Sequence, residues 1–151
     1  MNQPAADEVE VTVIGPNYGE SVLVHLGDKR WIIVDSTSKD GGSEPTQLQY
    51  LRSLGLNPAE CVKLIVVTHW HDDHIKGIIQ TIDACRGAAI CVPSTFTGPE
   101  FLSFLAAHTD KLASRFGTGV DEIVGVFSAM RGRDANHLAI ADKRLLNIGS
   151  A

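Results

Sequence analysis

The sequence predicts one mixed α/β domain, a β-sheet with helices beside it. Two observations lead there. Short β-rich runs alternate with stretches of helical periodicity along most of the chain. The run Cys61-Val62-Lys63-Leu64-Ile65-Val66-Val67 is almost unbroken in its apolar character, as in a strand buried on both faces with helices on one side. A length of 151 residues supports one domain with a core but not two.

Residues 1–8 read as a disordered tail ahead of a domain spanning 9–151. Val9 to Ile14 alternates around Val9, Val11 and Val13, a strand pattern, and Gly15-Pro16-Asn17-Tyr18-Gly19 is a turn cluster. Ser21 to Leu26 and Trp31 to Asp35 flank Gly27-Asp28-Lys29-Arg30, which reads as a hairpin, so the chain opens with a three-stranded meander. Ser36 to Ser43 is a polar, glycine-rich loop. Pro45 suits the first turn of a helix capped by Ser43 or Glu44; Leu48, Leu51 and Leu54 recur at helical spacing, and Gly55 ends it.

Beyond the long apolar strand, Ile75, Ile78, Ile79 and Ile82 mark one face of a further helix, and Ala88 to Val92 is a short strand. Gly98 to about Arg131 is helical in two pieces, broken near Gly117-Thr118-Gly119. His137 to Ala141 and Arg144 to Ile148 flank Asp142-Lys143 as a closing hairpin.

Composition excludes several classes. Net charge is −5, so nothing indicates general binding of a nucleic-acid backbone. Cys61, Cys85 and Cys91 form no C-x-x-C pair and are odd in number, which speaks for buried apolar thiols in a reducing compartment. The start, MNQPAADEVEV, has neither the basic nor the apolar region of a signal peptide. No apolar run approaches the roughly 20 residues of a membrane span. A cytoplasmic location with no membrane partner is expected.

The chemistry concentrates in Thr68-His69-Trp70-His71-Asp72-Asp73-His74, directly after the buried strand. Strand ends at the edge of an α/β sheet are where sites form. In extended backbone, alternate residues point the same way, so His69 and His71 can aim two imidazoles at one point. Asp73 and His74 add an oxygen and a third nitrogen at the start of the next helix. Zinc, iron and manganese all accept such donors. The spacing excludes the helical H-E-x-x-H arrangement.

His69-x-His71-x-Asp73-His74 resembles the H-x-H-x-D-H signature of the metallo-β-lactamase superfamily. Asp35, at the end of Trp31-Ile32-Ile33-Val34-Asp35, resembles the family's aspartate after an early strand, and Gly77 the glycine of its D-H-x-x-G continuation. The resemblance covers about residues 9 to 93. The wording THWHDDHIKG is closer to ComEC-type DNA-uptake proteins and related bacterial hydrolases than to antibiotic-degrading lactamases.

The resemblance implies an αββα sandwich, here incomplete, and a zinc hydrolase with one or two ions; iron and manganese are alternatives. His69 and His71 would hold the first ion, Asp73 and His74 the second. Asp35 would brace the ligand loop by hydrogen bonds without touching metal. A metal-bound hydroxide would attack a carbonyl or phosphorus, with Asp73 also orienting that nucleophile. The substrate class stays open among ester, lactone and phosphodiester.

Around the motif, Asp72 reads as a helix cap or solvated charge, and Lys76 as a solvated helix residue. Trp70 either walls a pocket or packs beneath the loop. The family's third histidine and bridging aspartate have weaker counterparts, and no residue is a candidate for its last histidine. His137 lies 63 residues past His74 (137 − 74) and is the candidate third ligand. His25 reads as a strand residue, His108 as a helix residue and Asp142 as a turn residue. Two secure ligands per ion point to a chain completed by a C-terminal half or by a second copy, with sheet edges or apolar faces left open. A non-catalytic remnant or interaction module is the alternative function.

Overall fold

The computed structural model describes residues 2–15, 19–39, 43–109, 119–133 and 138–140. Six strands form one sheet in the order β1-β2-β3-β4-β5-β6. They are β1 (Val9–Ile14), β2 (Ser21–Leu26), β3 (Trp31–Val34), β4 (Val62–Val66), β5 (Ala89–Val92) and β6 (Leu138–Ile140). The first three pair antiparallel as the expected meander. The remaining pairs, from β3–β4 to β5–β6, are parallel. The sheet is therefore mixed, and helices supply the crossovers that parallel pairing requires.

The β2–β3 hairpin turns through Asp28 and Lys29, with φ of 50° and 58°, and closes with Arg30 N donating to Gly27 O at 2.9 Å. Two successive left-handed residues match the twist of the flanking strands. Where a disordered tail was expected, Gln3 Nε2 donates to Leu54 O at 2.8 Å, and Asp28 N donates to Ala6 O at 2.9 Å.

The helices are α1 (Thr46–Ser53), α2 (Pro58–Cys61), α3 (Asp72–Ile75), α4 (Ile78–Ala84), α5 (Pro99–Thr109) and α6 (Gly119–Arg131), with a 3-10 turn at Ser94–Thr97. Three local expectations need correction. Pro45 occupies the N-cap of α1 itself, and no side chain caps that helix. The start of the Cys61–Val67 run belongs partly to α2, a single turn capped by Asn57 Oδ1 accepting from Ala59 N at 3.2 Å. The helix drawn through Ile75, Ile78, Ile79 and Ile82 is two helices, because Gly77 takes a φ of 79° between them. That left-handed residue resets the chain direction and breaks the helix.

One face of the sheet carries the main core. Leu23, Ile33, Ile65 and Ile90 are fully buried against Leu48, Leu51, Ile78, Ile82, Ile123 and Val126 from the helices. On the other face Leu64 and Cys91 form a small cluster with Ile32, Val66 and Ala89. No helix residue of the described chain joins that cluster. β4 is thus less enclosed than its composition suggested: Lys63 is exposed and Val66 half-buried. At the edge, Val9, Val11 and Val13 of β1 are 70%, 61% and 65% exposed.

β6 pairs parallel with β5. The second arm of the expected closing hairpin, 144–148, lies outside the described residues, as do Asp142 and His137. No described helix is long and apolar enough to cross a membrane.

Candidate metal centre

The C-terminal ends of β3 and β4 place the site. Asp35 follows β3 with its N–H donating to Val66 O at 2.8 Å, so its position is fixed by the sheet. Its φ is 58°, a left-handed conformation that aspartate tolerates better than most residues. Asp35 is 5% exposed, and its carboxylate is satisfied by three donors. Thr68 N reaches Oδ1 at 2.8 Å, Thr68 Oγ1 reaches Oδ2 at 2.5 Å, and His74 Nδ1 lies 3.1 Å from Oδ2. One buried acid thus holds both ends of the histidine cluster.

The hydroxyl of Thr68 has a single proton, and an acceptor-only carboxylate takes it. Thr68 Oγ1 then receives a hydrogen bond from His69 Nδ1, 2.7 Å away. Proton counting therefore puts the lone pair of neutral His69 on Nε2. The same reasoning holds at His74. Nδ1 donates to Asp35, leaving the lone pair on Nε2, 3.5 Å from Asp73 Oδ2.

These constraints gather the rings. The His69 and His74 centroids lie 3.9 Å apart, and those of His69 and His71 5.2 Å apart with planes nearly perpendicular. Two overlapping sets have ligand atoms within 4.8 Å of one another: His69, His71 and Asp73; and Asp35, His69 and His74. The first set is the better metal cradle. Its members are exposed or half-buried, whereas the Asp35 oxygens are buried and already occupied by Thr68 and His74. Two nitrogens and a carboxylate oxygen suit a divalent metal ion.

Around the cradle, His71 is the N-cap of α3, and Asp72 and Asp73 form its first turn. Asp72 is exposed, as expected of a solvated charge. Trp70 is half-buried and packs against the main core, with its ring 5.3 Å from that of His71. Lys76 is half-buried. His25 is a buried strand residue against Trp31, and His108 falls in α5.

Several supporting residues carried no role in the sequence reading. The Asp73 carbonyl accepts from Glu20 N at 3.0 Å and fills the space that a Cβ at Gly19 would need. Gly19 has a φ of 94°, so its place in the turn cluster was legible but its partner was not. From α6, Glu122 accepts from Gly77 N at 2.9 Å and Ile79 N at 3.0 Å, capping α4 from 43 residues away. Burial pushes its carboxyl pKa up, and those two N–H bonds oppose the shift. Thr68 had a local signal in its position beside the cluster, as Gly19 had in the turn, and Glu122 had none.

The sequence over residues 14–100 matches the model of the metallo-beta-lactamase superfamily. No curated protein matches it. Among solved structures, metallo-beta-lactamase SMB-1 bound to 2-mercaptoethanesulfonate is 28% identical, over 54% of this chain and 29% of its own, with a TM-score of 0.42. MEM-A1, a subclass B3 enzyme from a soil metagenome library, is 30% identical over 56% of this chain and 30% of its own, with a TM-score of 0.43. BJP-1 of Bradyrhizobium japonicum, also subclass B3, is 21% identical over 54% and 29%, with a TM-score of 0.38. The chain spans less than a third of the length of these three structures.

Proposed function

Because the chain belongs to the metallo-beta-lactamase superfamily, we propose that it carries the ligand-bearing motif of a metal-dependent hydrolase, with an ester, lactone or phosphodiester as substrate. The observation that carries this reading is the convergence of His69, His71 and Asp73 ligand atoms within 4.8 Å, with His74 beside them. His69 and His71 would hold one ion with Asp73 closing the same cradle, and Asp73 with His74 would offer the place for a second, zinc being the first choice and iron or manganese the alternatives. Such an ion supplies Lewis acidity, polarising the scissile group and activating water.

The chain's own residues do the rest. Asp35 holds Thr68 and His74 in place. Thr68 accepts from His69 Nδ1 and so leaves the Nε2 lone pair for an ion. Asp73 offers carboxylate oxygens that can both bind an ion and accept a proton from an attacking water, thereby orienting it.

Metal analysis of purified protein tests the proposal. Wild type should retain zinc, iron or manganese near stoichiometry, and His69→Ala should lose most of it. Hydrolysis of a phosphodiester or ester by wild type should vanish in Asp73→Ala. Metal content at background in wild type would defeat the reading. A second reading, a non-catalytic interaction module, draws on the exposed valines of β1. Hydrolysis abolished by Asp73→Ala would exclude it.

A further inference from the structure

Beneath the candidate metal centre lies a closed polar circuit with no exposed member. Ser36, Gln47 and Thr81 are each 0% exposed and come from three separate stretches: the loop after β3, α1 and α4. Gln47 Nε2 donates to Ser36 Oγ at 2.6 Å and to Thr81 Oγ1 at 2.8 Å. Ser36 Oγ donates to Lys76 O at 2.9 Å, and Thr81 Oγ1 to Gly77 O at 3.0 Å. Gln47 Oε1 accepts from Thr37 N at 3.4 Å.

The protons of this circuit can be counted. Each hydroxyl has one, and each is spent on a backbone carbonyl of the Lys76-Gly77 break. Ser36 Oγ and Thr81 Oγ1 also lie 3.3 Å apart, but with both protons directed at carbonyls neither has one for the other. Both hydroxyls must therefore accept from a third group, and a primary amide supplies the two N–H groups needed. Glutamate would present two acceptors to two hydroxyls whose protons are committed. A buried network satisfied in this way is rigid, and it is costly when one member is lost.

The circuit ties together the two segments that carry the site. Ser36 follows Asp35, and its N–H donates to His74 O at 2.9 Å; Ser36 and Ile75 form a parallel bridge. Lys76 and Gly77 follow His74 and Ile75. Gln47 lies in neither segment, yet through Ser36 and Thr81 it holds both at a fixed separation. We infer that Gln47 is a positioning residue: with Ser36 and Thr81 it sets the spacing of Asp35 and His74, and so the metal affinity of the site. This rests on the metal-site reading above.

Two measurements on Gln47→Leu, Thr81→Val and the conservative Thr81→Ser test it. One is hydrogen exchange of the Ser36 amide in metal-free protein. The other is Co(II) affinity, followed by the d–d absorption of the bound ion. Gln47→Leu and Thr81→Val should speed Ser36 exchange about tenfold or more while leaving the Leu23 and Ile65 amides unchanged. The same two variants should weaken Co(II) binding by about tenfold or more, as loss of an outer support typically does. Thr81→Ser, which keeps the hydroxyl, should stay near wild type in both.

If Gln47→Leu fails to fold, the Thr81 pair decides. Unchanged Co(II) affinity and Ser36 exchange in Thr81→Val would overturn this inference alone. Faster exchange spread evenly over the core amides would also overturn it, since that marks general destabilisation. Absence of Co(II) binding by wild type would overturn the metal-site reading, and this inference with it.

Discussion

Asp35 receives both the N–H and the hydroxyl of Thr68, at 2.8 and 2.5 Å, across 33 residues of sequence. A loop running off the end of one strand is thereby locked to the end of its neighbour. The lock is local to the site, so its removal should be felt there first. Asp35→Ala strips three donors of their partner and leaves alanine in a left-handed conformation. It should cost about 3 kcal/mol, of which the backbone conformation contributes about 1 kcal/mol. Asp35→Asn tolerates that backbone and should cost less. Urea denaturation of the two variants checks the order, and equal losses would show that neither the left-handed backbone nor the acceptor oxygen that asparagine keeps contributes.

Thr68→Val is the complementary change. It keeps the backbone bond to Asp35 and removes the hydroxyl that joins Asp35 to His69. A stability loss of about 1 kcal/mol is expected. His69 Nδ1 would lose its acceptor, so the ring should lose its fixed tautomer. Nitrogen-15 chemical shifts of the imidazole should move from one tautomer toward a mixture, and an unchanged spectrum would contradict the proton assignment.

Gly19→Ala should be worse than its size suggests. The added Cβ would meet the Asp73 carbonyl, and the φ of 94° is unfavourable for alanine. Loss of about 2 kcal/mol or more is expected, together with weaker metal retention, because the Asp73 backbone must move. A variant of wild-type stability and metal content would show that the Gly19–Glu20 turn does not support the ligand loop.

Glu122 gives a pH signature. Its folded pKa lies above the ordinary 4.5, chiefly from burial. The folded state therefore binds the proton more tightly than the unfolded state. The resulting stability is fully present below 4.5 and is lost as pH rises through the raised value. Glu122→Gln removes that titration. The stability of wild type minus that of Glu122→Gln should fall with rising pH across this range in urea titrations; a rise would reverse the assignment.

The three thiols should be silent. Burial pushes Cys85 up to about 12 and Cys61 to about 11, and it raises Cys91. At pH 8 only about one Cys85 in ten thousand would be thiolate even if it were accessible. Iodoacetamide should label the native protein negligibly and all three residues in urea. Rapid native labelling would mean the core opens around α2 and α4.

The site was legible in the sequence where its chemistry is local. His69, His71, Asp73 and His74 are neighbours in the chain, and the strand before them is unmistakably apolar, so their convergence follows from strand geometry. Asp35 was legible only through resemblance, because nothing local says that a strand-end aspartate faces another strand's loop. Gln47 and Glu122 gave no signal: Gln47 reaches Thr81 across 34 residues and Glu122 reaches Ile79 across 43, and a polar residue in a helix looks the same whether it is solvated or satisfied inside. The split between α3 and α4 was hidden for a related reason. The isoleucines keep a helical spacing across Gly77, and only its backbone angle reveals the break.

The three outward valines of β1 carry a consequence for handling the protein. Among the described strands none neighbours the outer side of β1, so its peptide groups can template another chain, and the valines would supply an apolar lining for that contact. Three exposed acids flank the strand, Asp7 and Glu8 before it and Glu20 after it. They act as gatekeepers, since two such edges brought together would bring like charges together. Salt screens that repulsion and strengthens apolar contact at once. Precipitation by moderate salt should thus begin at this edge, and a lysine in place of Val11 should delay it.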